Sequence, residues 1–379
     1  MDRDIVKLTL QKEGMEPIVV EKHEIITKEK AEEKGEAGEE EYEWKITLPV
    51  KTGGDKTAVD AVVRTIKDSK REEVIQESLD KENEYGLDNP SFFIKFYYEG
   101  EETENGIAFG IESLDRKRMF VKVFGEDKIF SVPAGLKSSL NKSLFDLRDK
   151  RTAHFTNEEV VEVSLLAGNE AFIMEKDEEQ WYFKPDRLKA SKARVDMYTG
   201  NLRWGYFVAV EEEKGINFAK YGLDKPRMIL RFKLTDGSYF MFVVGDYIKE
   251  NDAEFFYATR TSDNMIFQVQ AELVSRLITT RFELKDRRIF NFSLNDVTAV
   301  KLEKDSKSFH FIKEGDNWKL KGVEEELARG YRIDNIVRGI AEAEYEAFDP
   351  VKRGDDRYNE TGIENPVYFT ALNFQDGRA

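Results

Sequence analysis

The chain has 379 residues, of which 40% are hydrophobic and 12% aromatic, enough to build packed cores rather than a disordered coil. Its 59 Lys and Arg against 75 Asp and Glu leave a net charge of −16, a balance that repels phosphate backbones and anionic lipid and so disfavours nucleic-acid binding and docking through a basic patch. Cysteine is absent, which removes structural disulfides, thiolate nucleophiles and cysteine-held zinc.

No apolar run approaches the roughly 18 residues of a membrane span. The opening MDRDIVKLTL enters a strand-like alternation at once and does not read as a signal peptide. Residues 27–42 (TKEKAEEKGEAGEEEY) form an acidic, low-complexity insertion that reads as a flexible extension. Trp44 follows in the strand-like EWKITLP. The turn TGGD (Thr52–Asp55) precedes a stretch in which Val59, Val62, Val63 and Ile66 make one apolar helical stripe. Next come YGLDNP (Tyr85–Pro90), the strand FFIKFYY, a segment around Gly110, MFVKV and IFSV. A helix with Leu136 and Leu140 closes the stretch and runs into LRDKR (Leu147–Arg151).

The same series then returns. VEVSL (Val161–Leu165) alternates at period two, QWYFKP carries Trp181, and Val195, Tyr198 and Leu202 fall on one helical face. YGLDKP (Tyr221–Pro226) precedes MILRFKL, FMFVVGD, FFYATR and IFQV, then Leu273 and Leu277, then LKDRR (Leu284–Arg288). A third series has VTAVKL, Trp318, a stripe of Ile333, Ile336, Val337 and Ile340, TGIENP (Thr361–Pro366) and YFTALNF. Trp44, Trp181 and Trp318 recur at intervals of 137 residues, and the two LRDKR-like runs share that offset. The reading is α+β: tandem repeats, each a mainly antiparallel sheet with two or so packed helices, at 1–152, 153–290 and 291–379. The third repeat lacks the later strands and the closing helix, so it is expected to expose an unpaired edge and to belong to a chain that continues.

Roles for the recurring residues follow from local chemistry. Gly86 and Gly222 supply a backbone angle that a Cβ forbids, and Pro90 and Pro226 stop any helix. Asp88 and Asp224 are expected to cap the turn through their side chains. Arg148 and Asp149, with Asp286 and Arg287, read as the charged end of a closing helix, cations near its C-terminus and aspartates as ion-pair partners. The competing reading of these basic runs is a site for phosphate or an acidic partner. In the third repeat only Gly362 and Pro366 of the turn motif are kept.

The order of tryptophan strand, amphipathic helix, YGLD-x-P, strands and LRDKR resembles the domain of unknown function 4340 family over nearly the whole chain. The resemblance implies a bacterial envelope protein with a short N-terminal membrane helix, in some cases encoded beside gliding-motility-type ABC transporter components. The family has no established activity, so it lends no catalytic residues. The third copy departs from the motif, with Thr361 in place of the tyrosine and Glu364 in place of the aspartate.

Tests for chemistry return structural readings. His23, His154 and His310 lie in different repeats without an i, i+4 partner. Asp88 and Asp224 are the most pointed carboxylates, but repetition places one in each repeat instead of two in one cleft. No phosphate loop, GxSxG elbow or DxDxDG spacing occurs. Strand aromatics such as Tyr42 and Tyr97 are candidates for outward-facing contacts. The expectation is a non-enzymatic repeat module without cofactor or metal. It sits on the extracytoplasmic side of a bacterial membrane, anchored through a segment absent from this chain, and binds an envelope protein. The rivals are a glycan- or peptide-binding protein using exposed aromatics and a carboxylate-dependent hydrolase.

Overall fold

A computed structural model describes residues 3–25, 42–101, 103–213, 215–304, 307–322, 329–346, 356–361, 363 and 366–378. Most of the acidic insertion, together with Gly362 and Glu364, lies outside them. In the first repeat the period-two segments become β1 (Ile5–Lys12), β2 (Ile18–Glu24) and β3 (Tyr42–Leu48), followed by the two-residue β4 (Thr52–Gly53). Helix α1 (Lys56–Asp68) starts where the Asp55 side chain accepts the Ala58 N–H, and it buries Val59, Val62 and Ile66. Then come β5 (Glu73–Gln76), β6 (Phe92–Tyr98), β7 (Asn105–Glu112), β8 (Arg118–Val123), β9 (Ile129–Pro133), and the short helices α2 (Gly135–Leu140) and α3 (Leu144–Leu147).

The nine strands form one sheet in the order β4-β3-β2-β1-β6-β7-β8-β9-β5, with every neighbouring pair antiparallel. Leu8 and Leu10 of β1, Ile94 of β6 and Phe109 of β7 point to the face that α1 and Leu140 cover. Alternation along each strand thus converts directly into one buried face.

The second repeat has β10 (Val160–Ala167), β11 (Glu170–Asp177), β12 (Gln180–Phe183), β13 (Lys189–Ala190), α4 (Lys192–Arg203), β14 (Phe207–Glu212), β15 (Met228–Leu234), β16 (Tyr239–Glu250), β17 (Ala253–Arg260), β18 (Asp263–Gln270), α5 (Ala271–Leu277) and α6 (Arg281–Leu284). Its order, β13-β12-β11-β10-β15-β16-β17-β18-β14, repeats the first position for position. The third contributes β19 (Val297–Lys304), β20 (Lys307–Glu314), β21 (Asn317–Leu320), α7 (Gly330–Ala341) and β22 (Tyr368–Phe374), in the order β21-β20-β19-β22. The opening strands even share a bulge, between Ile5 and Lys7, Val160 and Glu162, and Val297 and Ala299.

Contacts divide the chain into two compact bodies, residues 1–173 with 196–279, and 174–195 with 280–379. This division cuts through the second repeat within β11. Two features escaped the sequence pattern. β5 and β14 cross to the far edge of their sheets, where they pair with β9 and β18. Each closing helix is also broken in two: α2 and α5 carry the expected leucines, and after a short break the single turns α3 and α6, capped by Ser143 and Thr280, end at Leu147 and Leu284. The basic runs begin at the C-caps of these turns, Arg148 and Lys285, where Lys150 Nζ donates to the Phe145 carbonyl (3.0 Å), and then continue as extended chain.

Candidate binding cleft at the first repeat joint

The motif residues explain themselves through the fold. Trp44 and Trp318 are buried, and their indole N–H groups donate to Asp60 (2.7 Å) and Asp334 (2.9 Å) on the following helix. Each such clamp ties the tryptophan strand to α1 or α7. Trp181 is equally buried, but Met197 stands where the aspartate would be. Gly86 and Gly222 adopt the left-handed conformation, φ 64° and 68°, behind a short 3-10 turn carrying Tyr85 or Tyr221.

That turn rests on the glycine of the neighbouring strand. A Cβ on Gly110 would lie 2.0 Å from the Tyr85 carbonyl oxygen, and one on Gly245 would lie 2.1 Å from that of Tyr221. Asp88 and Asp224 do not cap the turn. Both are exposed, and among the described residues neither carboxylate has a hydrogen bond or ion pair. The left-handed glycine already closes the turn through its own N–H. Pro90 and Pro226 are half-buried beside it, and Pro366 is exposed.

The LRDKR runs stitch consecutive repeats together. In the first joint Asp149 N–H donates to Gly53 O (2.9 Å), Phe207 N–H to Lys150 O (3.0 Å) and Thr152 N–H to Gly205 O (2.8 Å). In the second, Asp286 N–H donates to Lys189 O (2.9 Å), Tyr345 N–H to Arg287 O (3.1 Å) and Ile289 N–H to Ala343 O (2.9 Å). The charged side chains support this backbone. Arg151 grips Asp149 through Nε at 3.1 and 3.0 Å, and Arg288 grips Asp286 through Nε at 3.0 Å and Nη2 at 2.8 Å. Arg148, 1% exposed, pairs with Glu213 and sits 3.7 Å from Met265 Sδ. Arg287 stacks over Phe282 and reaches Glu344 at 3.5 Å. The ion-pair reading of these aspartates therefore holds, with the pairs on the joint that follows each helix end.

Beside the first joint lies a cleft of about 750 Å³. One wall is the outer face of β3, with Glu43 and Lys45, whose alternation partners Trp44 and Ile46 are buried. The floor is Gly53 and Gly54. The opposite wall combines Asp149, Arg151 and His154 with the β17–β18 turn, which supplies Arg260, Ser262 and Asp263. Arg260 is almost wholly buried. It holds Asp263 through Nε (2.9 Å) and Nη2 (2.6 Å) and donates to the Arg151 carbonyl.

Burial pushes the Asp149 carboxyl up, but hydrogen bonds from Arg151 outweigh it and hold it below the usual carboxylate range. Partial burial holds the His154 imidazole below its usual value, against the pull of Asp149. His154 Nδ1 stands 3.7 Å from Asp149 Oδ2, beyond hydrogen-bond range. The second joint repeats the design on a smaller scale, a 180 Å³ recess lined by Lys189, Asp286, Arg288 and Asn291, with the asparagine at the place of His154.

Among the described residues no group of three His, Asp or Glu could hold a metal ion. The cleft thus sets paired charges, the imidazoles of His23 and His154 and a glycine floor beside Ile25, Tyr42 and Ile46, polar groups that can orient a ligand against partly apolar walls. Sequence reasoning kept His23 and His154 apart, whereas both line this cleft, and it passed over Arg260, because β17 and β18 bring that arginine back only in three dimensions. Asp60 and Asp334 were findable, since each follows its tryptophan by 16 residues.

Repeated nine-stranded antiparallel sheets, a tryptophan strand clamped to a helix and an arginine–aspartate joint define a tandem-repeat α+β protein. The chain belongs to the family described as Domain of unknown function (DUF4340), which it matches at residues 44–203 and 183–366. Each match starts at a tryptophan strand and crosses a joint into the next repeat. No curated protein and no solved structure matches the chain. No helix among the described residues is long and apolar enough to cross a membrane.

Proposed function

We propose that the chain is a non-enzymatic protein-binding module that uses the first-joint cleft to hold a polar segment of an envelope or transporter-associated partner outside the cytoplasm. The observation that carries this reading is the state of the cleft's charges. Asp149 and Asp263 are each committed to an arginine, and His154 makes no hydrogen bond to Asp149. A carboxyl acts best as a general acid when its pKa is raised, and a histidine base is commonly oriented by a carboxylate. Paired, pre-positioned charges on a concave wall suit recognition. The extracytoplasmic placement rests on the resemblance to the family.

The hydrolase rival rested on Asp88 and Asp224, but both are exposed in the turns of separate repeats, and in the cleft the hold of Arg151 on Asp149 works against acid catalysis. The glycan rival needs free aromatic faces. Lys22 and Lys56 stand 4.1 and 3.7 Å from the Tyr42 ring centre, and Lys7 lies 5.8 Å from that of Tyr97.

The test is photo-crosslinking in cells, with the reactive residue placed at Ser262 on the cleft lip or at exposed Leu114 as control. One envelope protein captured from Ser262 and not from Leu114 is the expected result. Equal capture from both positions, or a cytosolic location of the protein, refutes the proposal.

A further inference from the structure

The two joints are one design built twice, so a side chain that the second has and the first lacks marks an open place in the first. Two independent pairings fix the correspondence. Gly53 O accepts the Asp149 N–H as Lys189 O accepts the Asp286 N–H, each at 2.9 Å. Across the strand Gly53 stands opposite Lys45 and Lys189 opposite Tyr182, in each case the residue after the tryptophan. The floor of the first cleft is therefore the position that carries Lys189 in the second joint.

Lys189 changes what its joint can accept. It lines the recess with Asp286 and Arg288, and that recess holds 180 Å³ against 750 Å³ in the first joint. Hydrogen bonds from Arg288 hold the Asp286 carboxyl low, and the nearby Lys189 charge adds to that hold. An aspartate already gripped by an arginine thus still draws an ammonium group. Arg151 grips Asp149 in the same way, but Gly53 brings no ammonium to its side. The cations around it are spent elsewhere or stand in solvent. Lys45 pairs with Glu43 (2.9 Å), Lys56 with Asp60 (2.7 Å) and Arg260 with Asp263 (2.6 Å), while Lys51 is exposed.

We propose that the first-joint cleft takes a lysine side chain of its protein partner over the Gly53–Gly54 floor, the group that the second joint supplies from its own chain as Lys189. This rests on the reading of the cleft as a protein-binding site and names the chemistry of the segment it holds. The entry is open, since a Cβ on Gly53 would meet Asp149 Cβ at 3.5 Å, an ordinary contact. Ile25 and Tyr42 line the same cleft and offer apolar surface to a four-carbon stem. At long range the net charge of −16 draws a basic segment in and turns an acidic one away.

The experiment is an amide NMR titration of the intact chain at constant ionic strength, following Gly54 and His154. The probe is the end-blocked peptide Gly-Lys-Gly-Lys-Gly, and its controls carry acetyl-lysine or glutamate in place of lysine. Gly53→Lys rebuilds the second joint in the first and fills the cleft from within, whereas Leu114→Lys adds the same charge at an exposed turn. Saturable shifts are expected with the lysine peptide and with neither control. Gly53→Lys should bind about tenfold more weakly, the size of one lost hydrogen bond to a charged group, at an unchanged urea midpoint. Gly53→Ala and Leu114→Lys should bind as the parent does. Absent shifts, or equal shifts from the acetylated or glutamate peptide, overturn the proposal. So does equal weakening by Gly53→Lys and Leu114→Lys, which means that overall charge alone attracts the peptide. Crosslinking from Ser262 that persists when the peptide arms fail removes the lysine and leaves the binding reading standing, and its loss removes both.

Discussion

Replacing Gly110 by alanine probes the contact on which the YGLD turn rests. The new methyl carbon would lie 2.0 Å from the Tyr85 carbonyl oxygen and 3.0 Å from Leu87 Cγ. A carbon–oxygen contact settles at about 3.3 Å. The turn or the strand must therefore move by more than an ångström, and both are held by backbone hydrogen bonds. Leu87, fully buried under the turn, would be displaced with it. Overpacking of a fixed core costs about 1–3 kcal/mol and more where backbone must yield, so about 3 kcal/mol is expected for Gly110→Ala. Gly245→Ala meets the Tyr221 carbonyl at 2.1 Å and should behave alike. Gly135→Ala is the control. Its Cβ meets nothing within 4 Å in the first turn of α2, so it should be neutral or stabilising by up to about 1 kcal/mol. Urea unfolding followed by far-UV circular dichroism gives all three values. A Gly110→Ala loss below about 0.5 kcal/mol, the range of an ordinary surface change, would refute the close-approach reasoning.

Asp60→Ala removes the acceptor of the buried Trp44 N–H, which should cost about 1–3 kcal/mol and shift tryptophan fluorescence to the red, with a smaller loss for Asp60→Asn; equal losses would show that the clamp is incidental. Asp88→Ala and Asp224→Ala should each stay within about 0.5 kcal/mol by the same unfolding assay, and a larger loss would restore a capping role. For His154 the folded chain prefers the neutral ring, among Asp149, Arg151, Arg260 and Asp263. Its stabilising share is complete above the unfolded value of about 6.5 and is lost as pH falls through the lower folded value. His154→Asn, the residue of the second joint, should therefore lose less stability than the parent between pH 7.5 and pH 5.5, and unchanged urea midpoints between the two proteins would refute this.

The sequence by itself determined the repeat, the α+β class and most strands. Alternation at period two decides which face of Leu8–Leu10 or Val163–Leu165 is buried, and the α1 and α7 stripes are local helical periodicities. It also marked Gly86 and Gly222, because a left-handed turn selects glycine whatever surrounds it. Only the tertiary structure decided what the other landmarks do. Gly110 has no positive φ, although the β7–β8 register shifts between Phe109 and Glu112, and its need for hydrogen in place of a methyl comes from a carbonyl 25 residues earlier in the chain. The LRDKR runs read as helix ends, and their first residues do cap one, because charge near a leucine pair is a local signal. Their extended, joint-forming state depends on Gly53 and Lys189, which lie far away in sequence. The cleft is likewise a product of long-range pairing. Asp149 and His154 are near in sequence to each other but not to Arg260, and no pattern along the chain encodes the turn that brings that arginine back over the joint.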